Sequence, residues 1–302
     1  MRLAPALLAL CCTTVAAVPA ARANADAPPT TAQLIAAAPA TAWRTPDPDN
    51  LLYMELANGL VVIELAPQFA PQHVANIRRL ARAGFWDGTS VYRVQDNFVA
   101  QWGDVHADEA DSARPLGAAA TPLPAEFEVA LAGLAFDALP DADPWSDRAG
   151  FVDGFAVATD AAGSAWLAHC YGMVGAGRNN APDSSLGAEL YAVIGQAPRQ
   201  LDRNMSSVGR VIHGIERLSA LPRGPEPMGF YADRGQDQPI VRVRLGSDVP
   251  AGERLPLQVM HTGSPSFAAV VQSRRNRRDA FYQRPAGHID LCNISVPVRL
   301  AD

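Results

Sequence analysis

Lysine is absent: all 25 basic residues of the 302-residue chain are arginine. A P-loop lysine, a Schiff-base lysine and the strand lysine of a kinase are thereby excluded. Cysteine is scarce. Of 4 cysteines, Cys11 and Cys12 lie in the first apolar stretch, and Cys170 and Cys292 stand far apart. No G-x-S-x-G or G-x-G-x-x-G string occurs. The 6 histidines (His73, His106, His169, His213, His261 and His288) are scattered. His169-Cys170 on a strand would point to opposite faces, and His106-x-Asp108-Glu109 reads as a solvated acidic loop, so no metal is expected. Past the first stretch no run approaches the roughly 18 apolar residues of a membrane span. A formal net charge of -6 argues against general nucleic-acid binding.

What is present first is an export signature. Arg2 supplies a positive start, Leu7 to Val18 is an apolar run, and Ala23-Asn24-Ala25 has the form of a signal-peptidase site. Residues 1–25 therefore read as a signal peptide, and the protein as periplasmic or secreted. Lipidation of Cys11 or Cys12 fits less well, because Leu10 and Cys11 stand where a small residue is required. Cleavage leaves 23 arginines against 31 acidic residues, a net charge of -8, and no further membrane insertion.

Hydrophobic residues make up 48% and charged residues 19%, a globular composition. Residues 26–50, rich in Ala, Pro and Thr, read as a linker with a short helix near Thr31–Ala38. Asn58-Gly59 between the apolar runs Leu51–Leu56 and Leu60–Leu65 signals a hairpin. A helix follows, with Pro71 in its first turn, Val74, Ile77, Leu80 and Ala81 on one face, and Gly84 just past its end. Ser90–Val94 and Asn97–Trp102 form a second strand pair. Residues 105–150 read as long loops with one ordered piece near Ala125–Ala130. Strands are expected at Phe155–Thr159, Ala165–Val174, Leu190–Ile194 and Ile240–Leu245, and a second helix at Gly214–Leu221. From 250 to 302 two or three more strand-like runs follow. Arg274-Arg275-Asn276-Arg277-Arg278 reads as a solvated turn or hairpin, with a docking patch for acidic partners as the alternative. Many strands and two helices indicate a mainly β fold, an antiparallel barrel or sandwich with helical caps.

The motif string then becomes specific. Glu64-Leu65-Ala66-Pro67 is followed by Ala70-Pro71-x-x-Val74-x-Asn76, Gly84-Phe85-Trp86-Asp87-Gly88 and Tyr92-Arg93-Val94. Phe98-Val99-Ala100-Gln101-Trp102-Gly103-Asp104, Gly172-Met173-Val174, Gly187-Ala188-Glu189-Leu190-Tyr191-Ala192-Val193-Ile194-Gly195, Leu201-Asp202 and Gly209-Arg210-Val211-Ile212-x-Gly214 complete it. In this order the pieces resemble the cyclophilin-type peptidyl-prolyl cis-trans isomerases over roughly residues 51–249. The resemblance implies an eight-stranded antiparallel barrel capped by two α-helices, with an enlarged loop at 105–170. Residues 250–302 would be a β-rich extension packed on the barrel. It also implies a surface groove, because a small barrel fills its interior with side chains.

The resemblance places Arg93 as the catalytic residue. It places Phe98, Val99, Tyr191 and Leu201 around the proline ring. Gln101 would bond a substrate carbonyl, and the backbone at Gly177 and Arg178 would pair with an extended peptide. Glu189 stands where the family has glutamine, Tyr191 where it has phenylalanine, Val99 where it has methionine, Gln200 where well-studied members have tryptophan, and Met205 where histidine is usual. These departures suggest altered peptide preference. Proline-containing polypeptides are the implied partners, with no cofactor. Folding of exported proteins is the leading functional expectation, and a non-catalytic proline-peptide-binding chaperone or scaffold module is the alternative. Cys170 and Cys292, the two thiols left after export, are a possible disulfide, against the alternative of two separate buried thiols.

Overall fold

The computed structural model describes residues 28–301 except 108, 110, 120, 226, 279 and 280. The signal-peptide expectation therefore lies outside the described residues. Eight strands close a barrel: β1 (Leu51–Leu56), β2 (Gly59–Leu65), β3 (Ser90–Val94), β4 (Val99–Gly103), β5 (Met173–Ala176), β6 (Leu190–Val193), β7 (Ser207–His213) and β8 (Gln238–Leu245). They run in the order β5-β6-β4-β3-β8-β1-β2-β7, every pair antiparallel, and β7 returns to β5. Alternation assigns the faces. Ala100, Trp102, Leu190 and Ala192 fill the barrel core, while Val99, Tyr191 and Val193 on the same strands belong to a second apolar cluster outside it.

Four helices are present: α1 (Thr31–Ala36), α2 (Pro71–Arg82), α3 (Ile215–Ser219) and α4 (Pro265–Arg275). Helix α2 packs Val74, Ile77, Leu80 and Ala81 on the barrel core, as its periodicity requires, and α3 adds Leu218. Gly84 takes φ +65 after α2, a conformation that favours glycine at a helix end. The N-cap Ala70 offers no side-chain acceptor. Glu126 fills the role from a distance. Its carboxylate accepts from the backbone N–H groups of Gln72 and His73, at 2.9 Å each, and meets His73 Nδ1 at 2.7 Å. A carboxylate there satisfies orphan donors and opposes the positive helix end.

Four expectations change here. Residues 105–150 are not only loops: Val129–Ala130, Phe136–Ala138 and the start of Arg148–Val152 join the expected strand Phe155–Thr159 in a five-stranded antiparallel sheet, in the order Val129–Ala130, Ser164–Leu167, Phe155–Thr159, Arg148–Val152, Phe136–Ala138. The expected single strand Ala165–Val174 is split between this sheet and β5, with Gly172 turning the chain at φ +83. The tail is mixed rather than β-rich. Ser264 caps α4 by accepting from Phe267 N–H, Pro265 occupies its first turn, and Arg274 and Arg275 end it where a turn was expected. The 28–50 segment is ordered. Helix α1 contacts α4, and Trp43–Arg44 joins Leu257–Met260 and Val298–Leu300 in a three-stranded sheet.

Insertion and tail share one core. Phe151, Phe155, Val157 and Leu167 of the sheet pack with Phe267, Val270 and Val271 of α4, and this cluster continues into Val99, Tyr191 and Val193 on the outer face of the barrel. A disulfide joins Cys170 to Cys292 across it. Among the described residues no helix is long and apolar enough to cross a membrane.

Candidate active site

A groove of about 610 Å³ runs over the outer face of β3, β4 and β6. Its register comes from the strand pairing. Tyr191 on β6 stands opposite Gln101 on β4, which stands opposite Arg93 on β3. The pairing of β3 with β4 shifts between Val91 and Arg93, so Tyr92 is an extra residue in the ladder. A bulge of this kind re-aims a side chain. Tyr92 and Arg93, which simple alternation would send to opposite faces, both line the groove.

Arg93 is held by its neighbours. Nε donates to the Met228 carbonyl at 2.7 Å, Nη1 to Gln101 Oε1 at 2.9 Å and Nη2 to Gln95 Oε1 at 2.6 Å. A guanidinium has five N–H donors, so each terminal nitrogen keeps one. The guanidinium carbon lies 5.8 Å from the Phe98 ring and 5.1 Å from the Phe230 ring. Burial lowers the Arg93 pKa, with the nearby Tyr92 acting the other way, and the group remains a cation.

From Gln101 the bonds run onward. Its Nε2 donates to the Tyr92 hydroxyl at 2.7 Å, and that hydroxyl donates to Glu189 Oε2 at 2.6 Å. Glu189 Oε1 accepts from the backbone N–H of Asp104 at 2.7 Å. The carboxylate lies so close over Gly103 that a Cβ there would come within 2.1 Å of it. Burial, then the adjacent Glu189 charge, pushes Tyr92 up, so it stays a neutral donor.

The apolar half of the groove is formed by Phe98, Val99, Tyr191, Leu201 and Met205. Val99 and Tyr191 are buried and Phe98 and Leu201 half-buried. Gln200 is turned away, exposed in a hollow beside Trp145 and Trp166. Arg178 lines the groove but spends Nε on the Asn204 carbonyl and Nη1 on Asn179 and Asn180. The Gly177 N–H donates to the Glu189 carbonyl at 2.7 Å, so it is already committed and not open to an extended peptide. Gln101 bridges Tyr92 and Arg93, and these two bonds use Oε1 and one of its two Nε2 N–H groups.

All eight groove residues expected besides Arg93 therefore lie at this one site with it. Tyr92, Gln95, Phe230 and the Met228 carbonyl join the site beyond those residues. Tyr92 stood in the motif only as a flank, and nothing local marks the 225–230 segment as a neighbour of Arg93. Among the described residues no cluster of His, Cys, Asp or Glu has the make-up of a metal site. His106 and Glu109 form an exposed pair at 3.1 Å.

A closed antiparallel barrel carries a cationic donor beside an apolar cleft on its outer face. The sequence profile of the cyclophilin type peptidyl-prolyl cis-trans isomerase/CLD family matches residues 51–245, and the chain belongs to that family of peptidyl-prolyl cis-trans isomerases. It is similar to a probable peptidyl-prolyl cis-trans isomerase of Brucella suis, 27% identical over 180 residues, covering 60% of this chain and 75% of the relative. It is also similar to human peptidyl-prolyl cis-trans isomerase-like 1, 36% identical over 70 residues, covering 23% of this chain and 40% of that protein. Among solved structures, the cyclophilin AquaCyp293 from Hirschia baltica superposes with a TM-score of 0.69 at 27% identity, covering 85% of this chain and 93% of the other. That coverage extends beyond the barrel.

Proposed function

We propose that this chain isomerises X–Pro bonds in exported polypeptides, with Arg93 stabilising the twisted amide and Phe98, Val99, Tyr191 and Leu201 receiving the proline ring. The uncatalysed barrier, roughly 18–20 kcal/mol, comes from amide resonance. Twisting the bond frees the lone pair of the prolyl nitrogen. A fixed cationic donor aimed at that nitrogen stabilises the twisted state and neither planar form, which is the condition for acceleration. The carrying observation is the clamp on Arg93. Three acceptors immobilise the guanidinium and leave one N–H on each terminal nitrogen, beside an apolar cleft. Preorganisation of this kind costs no rearrangement during the reaction.

Two features support export. The first 25 residues have the form of a signal peptide, and the Cys170–Cys292 disulfide suits an oxidising compartment. A second reading, a non-catalytic module that holds proline segments, is favoured by the altered rim, where Glu189, Gln200 and Met205 replace the residues usual in the family. A protease-coupled proline isomerisation assay separates the two. Turnover by wild type that Arg93→Ala abolishes supports catalysis; peptide binding without turnover supports the module.

A further inference from the structure

Behind the proline cleft lies a buried polar chain that the isomerase chemistry does not use. The Tyr191 ring faces the cleft, but its hydroxyl runs the other way. It crosses Gly175, where a Cβ would come within 2.2 Å of the phenolic oxygen, and ends 2.9 Å from His169 Nε2. The two rings lie nearly parallel, 12° apart with centroids 6.2 Å apart. His169 Nδ1 and the His169 backbone N–H meet Asp202 Oδ1 at 3.0 and 2.9 Å. Asp202 Oδ2 accepts from Arg199 Nε at 2.6 Å and from Trp166 Nε1 at 3.2 Å. Arg199 then grips Asp143 with both terminal nitrogens, at 3.1 and 3.0 Å. The side chains of His169, Arg199 and Asp143 are 1%, 3% and 2% exposed, so no solvent replaces a lost partner.

The proton order follows from the donors and acceptors. A carboxylate only accepts, so Asp202 places the histidine proton on Nδ1. In the neutral ring Nε2 then offers its lone pair to the Tyr191 hydroxyl at 2.9 Å, with Ser207 Oγ a second, more distant neighbour at 3.4 Å. Asp143, Trp166 and His169 come from the inserted region, whereas Tyr191 belongs to the barrel. Leu201, the other wall of the cleft, sits on the turn between Arg199 and Asp202.

We propose that His169 is a positioning residue of the proline cleft: by accepting the Tyr191 hydroxyl it fixes the ring that forms the cleft wall, and so makes peptide affinity depend on the inserted sheet. Without that acceptor the buried hydroxyl has a strong reason to turn toward the wet groove, because an unpaired buried hydroxyl is costly. The ring would then enter the space meant for proline. The inference rests on the cleft being the proline site, as proposed above.

The test is a double-mutant comparison. His169→Asn keeps a donor near the Nδ1 position for Asp202 and removes the acceptor for Tyr191. Wild type, His169→Asn, Tyr191→Phe and the double variant are assayed for KM and kcat, and for Kd of an Ala-Pro-containing tetrapeptide by calorimetry. In the tyrosine background His169→Asn is expected to raise KM and Kd roughly three- to tenfold, the worth of about one hydrogen bond, while kcat changes less. In the Tyr191→Phe background the tyrosine hydroxyl is gone and only Ser207 Oγ, 3.4 Å from Nε2 and outside the cleft, loses a partner, so the same change leaves KM and Kd unmoved. An equal rise in both backgrounds, or none in either, overturns the proposal. An inactive wild type that still binds the peptide would defeat the isomerase reading and leave the Kd comparison decisive here. Should His169→Asn fail to fold, nitrogen NMR of the wild-type histidine decides: a proton on Nδ1 with a bare Nε2 is required, and a proton on Nε2 overturns the assignment.

Discussion

Arg93 and Gln101 face each other across neighbouring strands, with Nη1 donating to Oε1 over 2.9 Å. Gln101 is in turn oriented by Tyr92, and Tyr92 by Glu189. The carboxylate can only accept and the guanidinium can only donate, so the amide between them has one favourable orientation. The glutamate that departs from the family pattern thus anchors the series that ends on the catalytic candidate.

Arg93→Ala is expected to lower kcat/KM by roughly 10²–10³-fold, the usual effect of removing one preorganised donor. Arg93 is half-buried on the outer face of the barrel, so the far-ultraviolet circular dichroism should match wild type. Gln101→Ala should cost less, on the order of tenfold, because it loosens the guanidinium without deleting it. A protease-coupled assay on both variants checks the ranking; wild-type turnover in a folded Arg93→Ala would defeat the mechanism.

Gly175→Ala provides a separate check on the cleft wall. The added methyl would meet the Tyr191 phenol at 2.2 Å, so the ring must move. Peptide affinity should fall with stability. Tyr191→Ala should cost about 3–5 kcal/mol in urea unfolding, as for other buried aromatics, whereas half-buried Phe98→Ala should mainly weaken binding. Equal stability losses for the two would show that exposure does not separate their roles.

The barrel and the groove were legible because both rest on local patterns. Alternation puts Val99 and Gln101 on one face and Ala100 and Trp102 on the other, and the ordered motif string supplies the rest. The role of Tyr92 was not, since a bulge between Val91 and Arg93 carries no sequence signal of its own. In the inserted sheet the strand Phe155–Thr159 is readable from its apolar run, and so is the turn before it. Asp153-Gly154 takes φ of +47 and +87 between Arg148–Val152 and Phe155–Thr159, the turn that an Asp-Gly pair favours in a two-residue hairpin. Ser264-Pro265 likewise announced α4, but the arginine run at its end reads as a turn in isolation. The link from His169 to Tyr191 joins positions 22 residues apart through tertiary packing alone, and no periodicity reports it.

Acid should loosen the same region. Burial pushes Asp202 up, but its bonds to His169 and the Arg199 charge outweigh that and hold it below its ordinary 3.8. A depressed folded pKa adds stability that is fully present above the unfolded value and is lost as pH falls through the folded one. Urea midpoints should therefore decline as pH drops below about 4. Asp202→Asn should be less stable at neutral pH with a shallower acid limb. Parallel acid limbs in the two proteins would assign the loss to other carboxylates.

The Cys170–Cys292 bond should dominate the stability of everything outside the barrel. It joins residues 122 apart, and Cys170 directly follows His169 while Cys292 lies in the short turn Leu291–Asn293 beyond α4. For a loop of that size the chain-entropy model gives about 4–5 kcal/mol. The barrel core of Leu52, Ile63, Trp86 and Trp102 does not depend on this link, whereas α4 and the inserted sheet share the cluster that the bond crosses. Reduction, or Cys292→Ala, is therefore expected to uncouple the two. Hydrogen exchange should quicken across 257–300 and 148–170 first, while the barrel amides stay protected, and the urea transition should move to lower denaturant. Because the loosened segment includes His169, peptide affinity should fall along with protection at 148–170. Mass spectrometry of the unreduced protein fixes the starting point, through a linked 170–292 peptide pair. Unchanged exchange at 148–170 after reduction would mean that packing alone holds the insertion in place, and that the tail is fastened to the barrel without it.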